Sequence, residues 1–274
     1  MTLPAAIFLV SALLGGLAIG SFLTVVIARL PPLVLRDEGL FATGGQALAA
    51  ISWPGSRCDA CGVALAWHDN IPLISCLLLK GQCRHCGHGF GRQYIAVELL
   101  TAGAALLSVL MLGWTAQAAW VFGLLAVLLA LAMIDLAEQL LPDILVLPLL
   151  PLGLCYGALY GPGLMASLEG AACAGLLLLA IGMAYRWRAK IEGMGQGDVK
   201  LAAALGAWLG LESVPFFLVL AFALGLVACL PSLLKGRLGG QSAIAFGPFL
   251  CASAAIFVLV PAVTPWIERL LEPF

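Results

Sequence analysis

Residues 116–136 read AQAAWVFGLLAVLLALAMIDL. The stretch has no Lys or Arg and only one acidic residue, Asp135, near its end. A hydrocarbon core about 30 Å thick needs roughly 20 predominantly apolar residues in a helix. This segment has that length and composition. Its Leu, Ala and Gly come in runs, without the polar–apolar alternation of a barrel strand. It predicts a transmembrane helix that ends on a carboxylate.

The same measure carried along the 274 residues finds about eight spans. They fall near 3–29, 93–112, 116–136, 141–160, 165–186, 199–211, 214–234 and 245–266. The sixth is short and its neighbour begins almost at once, so 199–234 reads as a re-entrant pair or as two tilted helices. The chain is 63% hydrophobic and 10% charged, with a mean hydropathy of +1.10. Soluble domains are nearer half apolar and one-quarter charged. An ordinary soluble enzyme, a disordered chain and a nucleic-acid binder are excluded, and the bilayer is the first partner. Residues Leu3 to Ile27 are apolar for longer than a secretory signal core, and no basic segment precedes them. They read as the first transmembrane helix.

The formal net charge of −1 conceals an asymmetry among the 13 Lys and Arg. Arg29, Arg36, Arg57, Lys80, Arg84, Arg92, Arg186, Arg188, Lys190, Lys200, Lys235 and Arg237 all fall in the loops after odd-numbered spans, or at the span ends beside them. Only Arg269 falls on the other side. Basic loops stay cytoplasmic. The expected topology is a multi-pass protein of a bacterial inner membrane, with both termini periplasmic and region 31–92 in the cytoplasm.

That region carries Cys58-x2-Cys61 and Cys83-x2-Cys86. Each hook offers two thiolates to adjacent corners of a tetrahedron, and two hooks complete a four-sulfur shell suited to Zn²⁺. Gly62 and Gly87 follow the hooks, where a metal knuckle turns tightly. Reduced thiols and an iron site share the pattern, and His85 and His88 are alternative ligands. Four Cys leave no open position for water, so the metal is expected to be structural. A reducing cytoplasm argues against disulfides. Cys76, Cys155, Cys173, Cys229 and Cys251 read as small packing residues.

Asp135 closes span three and Asp198 opens span six, in EGMGQGDVK over residues 192–200. Span three runs inward and span six outward, so both carboxylates arrive at the cytoplasmic interface. Ionisable groups in spans mark functional sites by default. Two carboxylates held together do not both ionise easily, which lets one act as base on water and the other as acid toward a carbonyl. The plain structural reading of Asp198 is a helix N-cap. Asp135, at a helix C-terminus, opposes the macrodipole and has no such role. Asp143 follows Pro142 at the start of span four and reads as an N-cap. Glu98 lies inside span two. Lys200 reads as a snorkelling lysine, with a bias on the aspartate pair as the alternative.

Taken in order, these motifs resemble those of the bacterial prepilin peptidases, or type IV leader peptidases. The resemblance rests on Gly20-Ser21-Phe22-Leu23 with Arg29-Leu30-Pro31. It continues through Ser56-Arg57-Cys58 to Cys86 with Trp67, Asn70-Ile71-Pro72-Leu73 and Tyr94 to Glu98. Ile134-Asp135 with Leu141-Pro142-Asp143, then Glu192 to Leu201, and last Ala245-Phe246-Gly247-Pro248-Phe249 complete it. Thr24 stands where the family commonly has Asn.

The resemblance implies a GxGD-type aspartic membrane protease whose catalytic pair is Asp135 and Asp198, with Asp143 non-catalytic. It implies prepilin and pseudopilin substrates whose basic leaders are removed at a Gly on the cytoplasmic side. It also implies N-methylation of the new N-terminus with S-adenosylmethionine, an activity associated with the cysteine region. No GxGxxG fingerprint occurs to mark a methyl-donor site.

The expected architecture is an all-α polytopic membrane protein of about eight transmembrane helices, with a small cytoplasmic zinc-binding domain between helices one and two. The divisions are 1–30 for the first helix, 31–92 for the zinc region and 93–274 for the transmembrane peptidase domain. A transporter or scaffold with a zinc-knuckle docking domain is the alternative. It predicts carboxylates spread through the membrane depth instead of gathered at one interface.

Overall fold

The computed structural model describes residues 3–36, 57, 58, 60–64, 82–89, 92–190, 194–234 and 245–259. Trp67, the Asn70–Leu73 stretch, Cys76, Lys80, Glu192, Gly193, Lys235, Arg237 and Arg269 lie outside them. Among the described residues the regular structure is helical apart from two isolated β-bridges. The helices are α1 (Leu3–Arg36), α2 (Arg92–Leu112), α3 (Ala116–Glu138), α4 (Asp143–Leu159), α5 (Leu164–Ala189), α6 (Gln196–Leu209), α7 (Val214–Leu234) and α8 (Gly247–Leu259).

Among the described residues, five segments are long and apolar enough to cross a bilayer: Ala6–Leu35, Gln93–Leu112, Ala116–Glu138, Leu164–Arg188 and Leu211–Ser232. The chain is therefore a multi-pass membrane protein. Outward side chains such as Leu110, Leu176, Met183, Val219 and Val227 are exposed. Water does not tolerate so much apolar surface, whereas lipid does. The first helix runs past the expected end at 29 to Arg36 and includes Pro31 and Pro32. Prolines remove hydrogen bonds to earlier carbonyls but do not forbid a last helical turn or two.

By packing, the chain falls into two compact units, Met1–Ala130 and Leu131–Phe274. In the first, α1 packs along α2 through Gly16 and Gly20. A Cβ on Gly16 would lie 2.7 Å from the Cα of Ala102, and one on Gly20 would lie 2.8 Å from that of Glu98. Glycines four residues apart let two helix backbones approach this closely in a membrane. Glu98 is buried at that contact, and Thr24 is buried with its hydroxyl donating to the Ser21 carbonyl at 2.7 Å.

The second unit is organised around α6. At 14 residues it is the short sixth helix expected from sequence, only about 21 Å long. It lies against α4, α5 and α8, and Leu201, Ala202, Leu205 and Ala207 have no exposed surface. Its Ala- and Gly-rich sequence explains this central place, because small side chains admit neighbours on several sides. Gly206 meets Gly170 of α5 backbone to backbone. On the α4 side, Trp208 donates its indole N–H to the Leu149 carbonyl at 2.9 Å and stacks on Tyr156 with ring centroids 4.9 Å apart. At Gly210 the φ of 78° ends the helix, and a 3-10 turn over Leu211–Ser213 leads into α7. Segments 196–209 and 214–234 are thus two separate helices. Ser253 of α8 donates to the Phe217 carbonyl of α7 at 2.6 Å, which fixes α8 to its neighbour.

Candidate functional site

The cysteine hooks are two copies of one local structure. In the first, the Gly62 amide donates to the Cys58 carbonyl at 2.8 Å and the Cys58 amide to the Val63 carbonyl at 3.0 Å. In the second, Gly87 donates to Cys83 at 2.9 Å and Cys83 to His88 at 2.8 Å. A β-bridge closes each, Arg57 with Ala64 and Gln82 with Gly89. Gly62 and Gly87 both sit at φ 70°, a left-handed conformation that side chains disfavour.

The hooks face each other so that one ligand atom from each of Cys58, Cys61, Cys83 and Cys86 lies within 4.8 Å of all the others. The Sγ atoms of Cys58 and Cys86 are 3.7 Å apart, and those of Cys61 and Cys83 are 4.0 Å apart. A tetrahedron with Zn–S bonds of about 2.3 Å has edges of about 3.8 Å. The cage therefore fits a four-sulfur Zn²⁺ site. Neither His85 nor His88 is in the cluster.

Local amides prepare the sulfurs. The backbone of Cys61 and then Ala60 holds the Cys58 thiol down at about 7. The backbone of Cys86 and then His85 lowers Cys83. At Cys86 the His88 amide acts the same way, but desolvation and the neighbouring thiols outweigh it and push the group up to about 12. Four sulfurs this close can all become thiolates only around a cation.

The carboxylates sit where helix ends meet. Asp135 lies in the last turn of α3, and its carbonyl accepts the Gln139 amide at 2.9 Å as the helix closes. The side chain is buried, with 5% of its surface exposed, and its Oδ2 accepts the Gly247 amide of α8 at 3.0 Å. That amide is available because Gly247 is the first residue of α8 and its N–H has no acceptor within the helix. The partner was not foreseen from the residues alone. Its signal was Gly-Pro at a helix start, where backbone donors lack intrahelical acceptors.

Asp198 is the third residue of α6. It is not the N-cap. Gly195 holds that position and makes no side-chain cap, while the half-buried Asp198 carboxylate folds back over Gly195. Its Oδ2 lies 3.3 Å from where a Cβ on Gly195 would stand.

One side chain ties the two sites together. Leu141 lies 2.9 Å from where a Cβ on Gly197 would be, and 3.2 Å from where one on Gly247 would be. Gly247 in turn touches Asp135, and Gly197 is the chain neighbour of Asp198. The end of α3 and the starts of α6 and α8 are thus gathered at one place.

The start of α4 joins them. Lys200 of α6 pairs with Asp143 of α4, Nζ to Oδ2, at 2.6 Å. This corrects two sequence readings. Lys200 is in an ion pair and does not snorkel, and Asp143 is the first residue of α4, after an N-cap at Pro142 that makes no side-chain bond.

Residues 14–112 match the bacterial peptidase A24 N-terminal domain, and residues 122–230 match the type IV leader peptidase family. A prepilin leader peptidase/N-methyltransferase of Dickeya chrysanthemi is 39% identical over 272 residues, covering 95% of this chain and 95% of that protein. The protein of that name from Burkholderia pseudomallei strain 1026b is 39% identical over 265 residues, covering 92% of this chain and 85% of its own length. The chain belongs to the type IV leader peptidase family. A further member, from Pseudomonas aeruginosa and bearing the same printed name, is 37% identical over 264 residues, or 92% of this chain and 90% of that protein. No solved structure matches the chain significantly.

Proposed function

We propose that this protein removes the leader from type IV prepilins and type II secretion pseudopilins, using Asp135 and Asp198, and then N-methylates the exposed N-terminus. The observation that supports the peptidase reading is that Leu141 packs against both Gly247, which donates to buried Asp135, and Gly197, the neighbour of half-buried Asp198. Membership of the leader peptidase family and the printed names of its relatives support the substrate class.

The chemistry needs no Ser or Cys nucleophile. One carboxylate takes a proton from water, whose oxygen attacks the scissile carbonyl carbon. The other donates its proton toward the carbonyl oxygen. Collapse of the tetrahedral species breaks the C–N bond, and the leaving amine takes a proton from the pair. The pair titrates as a unit, so acid and base roles belong to it jointly.

The basic residues beside odd-numbered spans favour a cytoplasmic position for this end of the helices. A leader held inside by its own positive charge meets the carboxylates there. Cys58, Cys61, Cys83 and Cys86 are assigned as Zn²⁺ ligands in a structural site, because a closed four-sulfur shell has no position for substrate. S-adenosylmethionine is the methyl donor that the methyltransferase reading requires. The functional divisions are 1–30, 31–92 and 93–274, the last bearing both aspartates.

The test is leader removal from a pseudopilin precursor in detergent, read by mass spectrometry. Asp135→Asn and Asp198→Asn should each leave the precursor intact while the protein still accumulates in the membrane. Full processing by either variant would remove that residue from the pair. A methyl group on the mature N-terminus, dependent on added S-adenosylmethionine, tests the second activity.

A further inference from the structure

We propose that the N-terminus of α8, through the Gly247 amide, is the positioning element that aims and holds Asp135 in the reactive pair. The proposal rests on the aspartate-pair reading above. Asp135 is poorly served by its own helix. It stands in the last turn of α3, where the carbonyl ends repel a carboxylate. Burial removes the water that would otherwise compensate. The start of α8 supplies both missing factors, a hydrogen bond to Oδ2 and the positive end of a 13-residue helix.

The local sequence leaves this amide to the carboxylate. Pro248 adds no second N–H, and the next two donors are committed to the Phe246 carbonyl. Gly247 therefore makes a single directional contact, which fixes one oxygen of Asp135 and leaves the other for reaction. The residue must also lack a side chain. A Cβ there would lie 2.7 Å from Oδ2 and 3.1 Å from Cγ of Asp135, and 3.2 Å from Cδ2 of Leu141. Any larger residue pushes the carboxylate away from α8 and disturbs the leucine that also touches Gly197.

Gly247 does not touch the reacting atoms in this scheme. Its effect passes through Asp135, so it belongs in kcat and not in substrate binding.

Three variants separate this role from ordinary helix packing, each compared with the unaltered protein on a pseudopilin precursor in detergent. Gly247→Ala displaces the carboxylate. Exchange of Gly247 for its α-hydroxy counterpart by nonsense suppression turns the amide into an ester, which deletes the N–H and adds no bulk. Gly225→Ala crowds α8 at Phe249, where a Cβ would lie 3.3 Å from the ring, without touching Asp135. The first two should lower kcat by about 10- to 100-fold, as expected for a lost hydrogen bond to a charged group, with KM unchanged. Gly225→Ala should retain the parental kcat. The proposal is overturned if the ester keeps the parental kcat, or if Gly225→Ala loses as much activity as Gly247→Ala. Cleavage by Asp135→Asn in the same assay would overturn the aspartate-pair reading itself, and this proposal with it.

Discussion

The cysteine cage and the aspartate cluster are built by opposite strategies. Each cysteine hook is complete within eight residues, Arg57 to Ala64 or Gln82 to Gly89, and its hydrogen bonds close inside that length. The aspartate cluster has almost no local structure of its own. Its bond between Gly247 and Asp135 spans 112 residues, and its ion pair between Lys200 and Asp143 spans 57. A local site survives as long as its short segment does. A site made of helix ends exists only when the bundle is assembled, so it reports the packing of α3, α4, α6 and α8 together.

The contrast predicts that damage at one site should leave the other standing. The largest effect is expected from Asp135→Asn or Asp198→Asn, which should cut the rate of leader removal by at least about a hundredfold. Zinc content, read by atomic emission on purified protein, should not change. Loss of zinc in these variants would break the separation.

The next largest is expected from Cys58→Ser with Cys83→Ser. Metal content should collapse and the protein should become more protease-sensitive around residues 57–89. Methylation should fall further than leader removal. Equal loss of both activities would show that the aspartate cluster depends on the cage.

A smaller effect should follow chelation. A strong zinc chelator should release one metal per chain and make four additional thiols reactive toward a maleimide, while peptidase activity persists at a reduced level. Fewer than four new thiols would mean a smaller ligand set. The smallest effect belongs to Lys200→Met, which breaks a half-exposed ion pair. It should lower thermal stability by about 0.5–1 kcal/mol and leave zinc content alone. A larger loss would show that the pair clamps the starts of α4 and α6.

What was legible in the sequence follows the same division. The hooks were readable because ligand spacing and geometry coincide over four residues. The helices were readable because membrane thickness sets a length that hydropathy reveals. Asp135 and Asp198 stood out because charge within spans is rare. Their partners did not, because hydropathy carries no information on which helix ends meet. Lys200 shows the limit. Two residues from Asp198, it was a natural candidate to influence that carboxylate, yet positions i and i+2 of a helix do not face one another. It turns instead to Asp143 on α4. Gly247 was visible only as part of the Ala245–Phe249 motif at the start of the last span, and nothing in its neighbourhood pointed to a carboxylate more than a hundred residues earlier.

The likeness of the two hooks has one more consequence. Cys58, Cys61, Gly62 and Val63 recur as Cys83, Cys86, Gly87 and His88, always 25 residues on and with the same backbone bonds. The halves are therefore two copies of one backbone motif carried on different flanking residues. If the shared backbone motif is what builds the cage, a chain in which segments 57–64 and 82–89 trade places should still bind one zinc, as metal content on the purified variant would show.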